Sequence, residues 1–285
     1  MSPAPRNLAA SVKARLLALA QTRGDDFNRL LVRYGIERLL FRLSRSPHAG
    51  QFLLKGAMLF VVWDEETHRP TRDLDLLGFG AAERELLQQV FREVVTTPAV
   101  DDGLAFDPGS VRAEEIREQS RYGGVRVRLI ARLGPAEIPL QIDVGVGDAV
   151  FPEPEEVVFP ALLEFPPPRV RAYPVYAVVA EKLETMVKLG GANTRMKDFH
   201  DVWFLLHRFA LDRATSRRAI EVTFARRGTR LEEWSAMLAA TLADDPGKQT
   251  QWNSFLSRNS LQGLPERFNE VVDSIREDLK PVLGT

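Results

Sequence analysis

A proline-rich stretch divides this chain of 285 residues into two parts of different character. Residues 151–173 carry prolines at short intervals, including Pro166-Pro167-Pro168, and each proline removes a backbone donor and fixes φ. A regular helix is therefore excluded, and we predict an extended linker. Helical and strand patterns mix before it, whereas every pattern after it is helical. The predicted organisation is an α/β part over 1–150, a linker over 151–173 and a helical part over 174–285.

Apolar spacing predicts the elements within each part. A period near 3.6 indicates helices over about 8–20, 27–40 and 83–96 in the first part, and six helices between 174 and 281. Alternation bounded by glycine and proline indicates short strands over 73–77, 111–116, 124–133 and 138–146. Because helices and strands do not alternate strictly, a doubly wound parallel sheet is disfavoured and the α+β class is predicted.

Composition excludes several classes of protein. The chain has no cysteine and four histidines, so thiolate metal sites, disulfide scaffolds and cysteine nucleophiles are excluded and a poly-histidine metal centre is disfavoured. The net charge of −1 argues against a bulk polycation but leaves room for a local basic groove. The longest nearly apolar stretch, Phe52–Trp63, is too short to cross a bilayer, and no secretion signal is visible. We therefore predict a cytoplasmic protein without a membrane partner.

Asp73 and Asp75 are the first candidates for chemistry. The alternation of charged and apolar residues around them predicts a strand, which directs residues i and i+2 to the same face. Two carboxylates held this close raise each other's pKa unless a cation lies between them. Mg²⁺ suits such a pair, because it binds one or two carboxylates and keeps positions for phosphate oxygens. The alternative is a solvent-exposed face of an edge strand with Leu74 and Leu76 in the core.

Two further segments of the first part support a phosphate-handling site. Lys55 and Gly56 precede an apolar helix, where small residues let backbone N–H groups approach a phosphate. Asp143 lies between Ile142 and Val144 on an apolar strand and is a candidate third carboxylate for a metal site or for an activated hydroxyl. In the alternative reading, Gly56 only forms a turn and Asp143 faces water.

The helical part offers basic residues. Lys182 is predicted on a helix, and Arg195 and Lys197 are predicted in a loop before a helix that carries Asp198. Lysine and arginine in this arrangement suit a triphosphate, and we expect them to face the carboxylates across a cleft. The alternative is that Asp198 caps its helix while the basic side chains are solvated.

Four segments together resemble the AbiEii/AbiGii family of nucleotidyltransferase toxins, which belongs to the DNA polymerase β-like nucleotidyltransferase superfamily. They occur in the family's order between about residues 50 and 205. In one departure, this chain has Gly56-Ala57-Met58 where the family often has Gly-Gly-Thr or Gly-Ser. The hydroxyl group that would contact phosphate is therefore missing from this turn, and Thr71 is the candidate to supply it. The segments are Lys55-Gly-Ala-Met-Leu59, Arg69-Pro-Thr-Arg-Asp-Leu-Asp-Leu76, Glu181-Lys-Leu183 and Arg195-Met-Lys-Asp-Phe-His-Asp201.

The resemblance implies a bilobed protein with a small mixed sheet, N-terminal helices and a helical C-terminal bundle. It also implies Mg²⁺-dependent transfer of a nucleotide from an NTP to an acceptor, with RNA and the 3′ end of tRNA as the first expectation. A cognate antitoxin of a type IV toxin–antitoxin system is implied as a partner. The metal ligands would be Asp73, Asp75 and Asp143; the catalytic set adds Lys182 and Asp198, and the nucleotide-binding set is Lys55, Gly56, Thr71, Arg195 and Lys197.

Two alternatives stay open from the sequence. The first keeps the chemistry and changes the acceptor to a hydroxyl group of a protein. The second is a binding module for nucleotide or RNA whose catalytic site is degenerate, and the altered turn at Gly56-Ala57 motivates it.

Overall fold

The protein has an α+β fold, and its chain divides into two compact units. The computed structural model describes residues 7–64, 71, 73–80, 83–116, 123–234, 240–259, 261 and 263–284. The first unit comprises Met1–Gly147 and Glu155–Ala172, and the second comprises Asp148–Pro154 and Tyr173–Thr285. The predicted α+β class is confirmed. The chain passes between the units three times rather than once.

The described residues of the first unit form four α-helices and seven strands. Its helices begin with two long ones whose N-termini are capped by the side chains of Asn7 and Asp26. The helices are α1 (Leu8–Arg23), α2 (Phe27–Arg45), α3 (Met58–Trp63) and α4 (Arg84–Thr96). The strands are β1 (Phe52–Lys55), β2 (Asp73–Gly78), β3 (Leu104–Ile116), β4 (Gly124–Leu133), β5 (Ala136–Val146), β6 (Glu155–Val158) and β7 (Arg169–Ala172).

All seven strands form one mixed sheet in the order β3-β4-β5-β2-β1-β7-β6. The pairs β2–β5 and β1–β7 are parallel, and the other neighbours are antiparallel. β3 begins at Leu104 rather than at residue 111, where the sequence predicted its start. Its register with β4 shifts between Asp107 and Arg112, and the strand continues on both sides of this irregularity.

Helix α2 packs against the apolar face of the sheet. Leu74, Leu76, Ile142 and Val144 are buried on that face, as the alternation predicted. The helix approaches strand β5 closely at Gly35, where an added Cβ would lie 2.9 Å from the Cδ2 atom of Leu140. A side chain at position 35 would therefore require the side chain of Leu140 to shift.

A buried ionic network joins α2 to the loop before β3. Asp102, whose side chain is fully buried, accepts hydrogen bonds from Arg38 at 2.9 Å and from Arg42 at 2.8 Å and 3.2 Å. Glu37 accepts from the backbone N–H of Leu162, and burial raises the pKa of its carboxyl to about 6. Buried charges need such partners, because an uncompensated one is costly in the interior.

The stretch predicted as a linker is instead largely part of the first unit. Strand β7 pairs with β1 at Leu54 and Ala172, and β6 pairs with β7. The loop between them also binds α2, since Arg38 donates to the carbonyl oxygen of Pro166 at 2.9 Å. Prolines exclude helix but tolerate edge strands and loops, and this explains why the linker prediction was wrong over 155–172.

The second unit is helical over its described residues after Tyr173. Buried apolar side chains from several helices form one core, with Phe199, Trp252 and Phe268 in contact through their rings. None of the described helices combines the length and apolar character that crossing a membrane requires. The helices are α5 (Val175–Leu189), α6 (Met196–Arg208), α7 (Arg213–Arg227), α8 (Ala240–Ala243), α9 (Pro246–Asn259) and α10 (Phe268–Leu283).

Candidate active site

Charged residues form a row across the polar face of the sheet in the first unit. In register, Lys55 lies opposite Asp75, Asp75 opposite Asp143, and Asp143 opposite Arg126. Paired residues on adjacent strands point to the same face. The sheet therefore sets two carboxylates side by side between two basic residues, and the predicted neighbours Asp75 and Asp143 lie on adjacent parallel strands.

Asp73 and Asp75 occupy the positions that the alternation predicted. Both lie on β2, Asp73 exposed and Asp75 half-buried, with the buried Leu74 between them on the opposite face. Asp73 pairs in register with Gln141 of β5, two residues before the Asp75–Asp143 pair on both strands. A rigid strand therefore carries both carboxylates toward the same face.

Arg126, which the sequence interpretation did not select, binds Asp143. Its Nε and Nη2 atoms donate to the two carboxylate oxygens at 2.8 Å and 2.7 Å, a bidentate pair. These hydrogen bonds raise the pKa of Arg126 above its ordinary value, and the charges of Asp143 and Asp73 act in the same direction. The sequence signal was present: Arg126 alternates with buried valines, which places it on the polar face of β4.

Gly56 is required by its contact with Asp75. Its φ is +70°, a conformation that side chains rarely adopt, and an added Cβ would lie 2.0 Å from Oδ2 of Asp75. The turn after β1 therefore lies directly against the carboxylate. Helix α3, which follows, has six residues, so the glycine forms a close approach to Asp75 rather than the start of a long helix.

Gly56→Ala is therefore expected to displace the carboxylate of Asp75 and to weaken the predicted binding of Mg²⁺ there by about ten-fold or more, a change of about 1.4 kcal/mol, because the added Cβ would occupy the position of that carboxylate. Isothermal titration with Mg²⁺ measures the affinity. Gly50→Ala is the matched control, since a Cβ there meets nothing within 4 Å. Equal Mg²⁺ affinity in the two variants would contradict the link between this turn and the metal site.

The remaining predicted residues of the first unit lie near the pair. Thr71 donates from its hydroxyl to the backbone carbonyl of Asp73 at 3.4 Å, and Lys55 ends strand β1 opposite Asp75. Arg69 and Arg72 of the resemblance segment lie outside the described residues. Phosphate binding by Lys55, Gly56 and Thr71 stays a prediction.

In the second unit, Lys182 lies between two buried carboxylates. Its Nζ is 2.6 Å from Oδ2 of Asp201 and 3.3 Å from Oδ1 of Asp198. The other oxygen of Asp198 accepts from Arg195 at 2.7 Å, and the other oxygen of Asp201 lies 2.8 Å from Nδ1 of His200. The predicted residues Lys182, Asp198 and Arg195 therefore share one network, which also includes Asp201 and His200.

Helix α6 differs in detail from the prediction. It begins at Met196, so Lys197 is in its first turn rather than in a preceding loop, and Arg195 is the residue at the N-cap. The side chain of Asp198 does not cap the helix; it binds Lys182 and Arg195 instead. The alternative reading of Asp198 as a capping residue is therefore wrong.

Lys182→Met is expected to destabilise the second unit by about 3 kcal/mol, because it leaves the buried Asp198 and Asp201 without their shared cation. Urea unfolding measures the change. Lys188→Met is the matched control: the same substitution on the same helix, at an exposed position, is expected to change stability by less than about 0.5 kcal/mol. Similar stabilities of the two variants would show that Lys182 does not compensate the aspartates.

The arginines of α7 fall into two groups. Arg227 binds Asp148 at 3.0 Å, Glu181 at 3.3 Å and Glu184 at 2.9 Å, so this residue is committed to an internal network. Burial acts to lower the pKa of Arg227, but the three carboxylates outweigh it and raise the value above its ordinary range. The arginines exposed on the helix are Arg213, Arg217, Arg218 and Arg226.

Residues 38–274 match the family described as "Nucleotidyl transferase AbiEii toxin, Type IV TA system". The match spans most of the chain, including both the Asp73–Asp75 strand and the Lys182–Asp198 network. The chain belongs to the AbiEii family. The AbiEii family is a nucleotidyltransferase family of type IV toxin–antitoxin systems, so the chain is a nucleotidyltransferase, and an NTP substrate and an antitoxin partner follow from the family.

The AbiEii chain also resembles two solved structures from Helicobacter pylori. The crystal structure of JHP933 has 14% sequence identity and a TM-score of 0.48, and the match covers 86% of this chain and 88% of that one. A second protein, named "putative nucleotidyltransferase", has 15% identity and a TM-score of 0.45, with 86% and 91% of the chains covered. No curated protein matches the sequence.

The residues of this AbiEii protein fit a divalent metal at Asp73 and Asp75, since Mg²⁺ takes one or two carboxylates and completes its shell with water and phosphate oxygens. Asp143 differs, because both of its oxygens accept hydrogen bonds from Arg126. Within the described part of the chain, no three acidic or histidine side chains form a group that could hold a metal ion.

Proposed function

We propose that this chain transfers a nucleoside monophosphate from an NTP to an RNA acceptor, with the 3′ end of tRNA as the first candidate, in the cytoplasm and with Mg²⁺. The observation that carries the proposal is the pair Asp73 and Asp75 on one face of a strand, in a chain of a nucleotidyltransferase family. Two adjacent carboxylates are electrostatically unfavourable alone and become favourable around a divalent cation.

Asp73 and Asp75 would hold the metal ion in this proposal. Bound there, the ion supplies Lewis acidity, which stabilises charge on the phosphates and lowers the pKa of an attacking hydroxyl. Gly56 keeps Asp75 in place through the close contact of its backbone with the carboxylate. Asp143, the third carboxylate of the predicted set, lies opposite Asp75 in register on β5 and would complete the metal site.

Basic side chains would neutralise the triphosphate. In the first unit the basic candidate is Lys55, and Gly56 and Thr71 would add neutral contacts to the nucleotide through a backbone N–H and a hydroxyl; all three are close in sequence or register to the aspartate pair. In the second unit the candidates are Lys182, Arg195 and Lys197. Asp198 would position Lys182 and Arg195, since it contacts both at 3.3 Å and 2.7 Å.

An RNA acceptor is supported by exposed arginines on α7. Arg213, Arg217, Arg218 and Arg226 are exposed along this helix, and arginine binds phosphate groups well. Glu221 pairs with both Arg217 and Arg218, so the helix carries a surplus of positive charge even after pairing. Arg227 is not part of this surface because its network holds it internally.

The decisive experiment incubates the purified protein with total tRNA, Mg²⁺ and each of the four labelled NTPs in turn. Label on the 3′ end of RNA, with pyrophosphate released, supports the proposal. Label on protein instead would favour a protein hydroxyl as the acceptor. No label on either, together with an Mg²⁺-dependent thermal shift by NTP, would favour a binding module without transfer, because a ligand that binds the native state raises stability.

A further inference from the structure

We propose that Lys248 is a positioning residue of the nucleotide site: it anchors the loop 190–195 and thereby holds Arg195 where its guanidinium binds the triphosphate. The inference rests on the role of Arg195 in the proposed function. It deepens that role, because it adds to the site a residue from a further helix, α9. All the contacts it uses lie within the second unit.

The loop 190–195, which joins α5 to α6, needs an anchor. It begins with two glycines, and Gly190 has a φ of +51°. Glycine leaves the backbone more freedom than other residues, so such a loop loses much entropy when it is held in one conformation. Asn193 is fully buried, although the residues on both sides of it are exposed. The loop is therefore attached to the rest of the unit at Asn193.

Lys248, in the first turn of α9, makes this attachment. Its Nζ donates a hydrogen bond to the backbone carbonyl oxygen of Asn193 at 2.7 Å. The side-chain Oδ1 of Asn193 accepts a hydrogen bond from the backbone N–H of Arg195 at 2.8 Å. The Nε atom of Arg195 in turn donates to Asp198 at 2.7 Å. A continuous path of hydrogen bonds therefore leads from Lys248 to the guanidinium of Arg195.

The charge of Lys248 is unfavourable in this position unless it has a task. The residue is 4% exposed, and among the described residues its acceptor is the carbonyl oxygen of Asn193, with no carboxylate paired to it. A buried ammonium loses its hydration, and an apolar side chain of similar volume often serves a core as well or better. Packing alone therefore does not account for a lysine at this position, whereas fixing the loop does.

Arg195 is held on one side and open on the other. Its side chain is 47% exposed, and its Nη groups donate to no acceptor in the part of the chain that the structure describes. A guanidinium held through Nε presents these remaining donors in a fixed fork, which suits phosphate oxygens. Such a group acts only when it is placed accurately, since a displacement of about 1 Å can cost about a hundred-fold in rate.

The test compares variants by the binding of a non-hydrolysable analogue of each NTP with Mg²⁺, measured by isothermal titration. Amide hydrogen exchange of the loop, followed by mass spectrometry, is the second measurement. Lys248→Met removes the charge and the donor and keeps a side chain of similar length. Lys280→Met, the same change at an exposed position on α10, is the matched control.

Two further variants keep the test decisive. Asn193→Ala breaks the next link of the path without removing a charge, and it replaces Lys248→Met if that variant fails to fold. Its own cost is limited, because Nδ2 of Asn193 is buried and has no acceptor among the described residues. Lys248→Met is also made in an Arg195→Met background, where a residue that acts through Arg195 has nothing left to position.

We expect Lys248→Met and Asn193→Ala to weaken analogue binding by about ten-fold and to speed exchange in the loop by about ten-fold or more, with Lys280→Met unchanged. In the Arg195→Met background, Lys248→Met is expected to cost less than about two-fold further.

Three results would overturn the proposal: unchanged analogue binding in Lys248→Met, an equal loss in the Arg195→Met background, or faster exchange across the whole second unit. The last two would give Lys248 a merely structural role. None of these measurements depends on transfer. Binding of the analogue by the wild-type protein without transfer to RNA would therefore count against the proposed function and not against this inference.

Discussion

Asp75→Asn is expected to abolish nucleotide transfer, lowering the rate by about a hundred-fold or more. The substitution removes one negative ligand of the proposed cation, and such a metal stabilises transition-state charge by several kcal/mol, of which each 1.4 kcal/mol changes the rate ten-fold. Asparagine has nearly the same shape, so the contact with Gly56 is retained and the fold should persist. Incorporation of labelled NTP at fixed Mg²⁺ measures the loss.

The control for this result is Asp25→Asn, the same change at an exposed position in the connection between α1 and α2. We expect its transfer rate to match that of the wild-type protein. Circular dichroism of both variants checks that the fold is retained. Transfer by Asp75→Asn at the rate of the Asp25→Asn control would remove Asp75 from the metal site and with it the main support for the proposed mechanism.

Asp102→Asn is expected to lower the free energy of unfolding of the first unit by about 3–5 kcal/mol. The side chain of Asp102 is fully buried and compensates the charges of both Arg38 and Arg42. A neutral amide removes the counter-charge that the two buried guanidinium groups share, which leaves Arg38 with only Glu37, 3.4 Å away, among its charged partners here, and it presents its own N–H₂ toward them. Urea unfolding followed by circular dichroism measures the change, and the transition of the first unit is the one that should shift.

Asp101 provides a neighbouring control. It is exposed, and its side chain accepts a hydrogen bond from the backbone N–H of Gly103 at 3.1 Å. We expect Asp101→Asn to cost less than about 1 kcal/mol, because an exposed polar contact contributes little. A loss below about 1 kcal/mol in Asp102→Asn as well would mean that the buried arginines find other acceptors.

The elements could be predicted from the sequence where the pattern is local. Alternation identified β2, β4 and β5, and helical spacing identified α1, α2 and α4 within a few residues. Pairing was not predictable, because the register of β2 with β5 depends on contacts between distant segments. The strands β6 and β7 were missed for a related reason: four residues among prolines carry too little periodicity to distinguish a strand from an extended loop.

The residues of the candidate site were likewise predictable where they depend on one strand and not predictable where they depend on strand pairing. Asp73 and Asp75 could be selected from one strand, because their common face follows from the i, i+2 period alone. The same period places Arg126 on the polar face of β4, but its contact with Asp143 could not be predicted, since it depends on the register of β4 with β5. The close contact of Gly56 with Asp75 also escaped the sequence, because the distance joins two strands whose pairing the pattern does not reveal.

The return of residues 155–172 to the first unit has a consequence for biosynthesis. As the chain leaves the ribosome, the first 147 residues emerge without the strand that covers the outer edge of β1 and without the loop that binds Glu37 and Arg38. The first unit can complete its sheet only after part of the second has been made. A fragment ending at 147 would present an unpaired strand edge, a common start of aggregation, so the two units cannot be separated by a single cut in the gene.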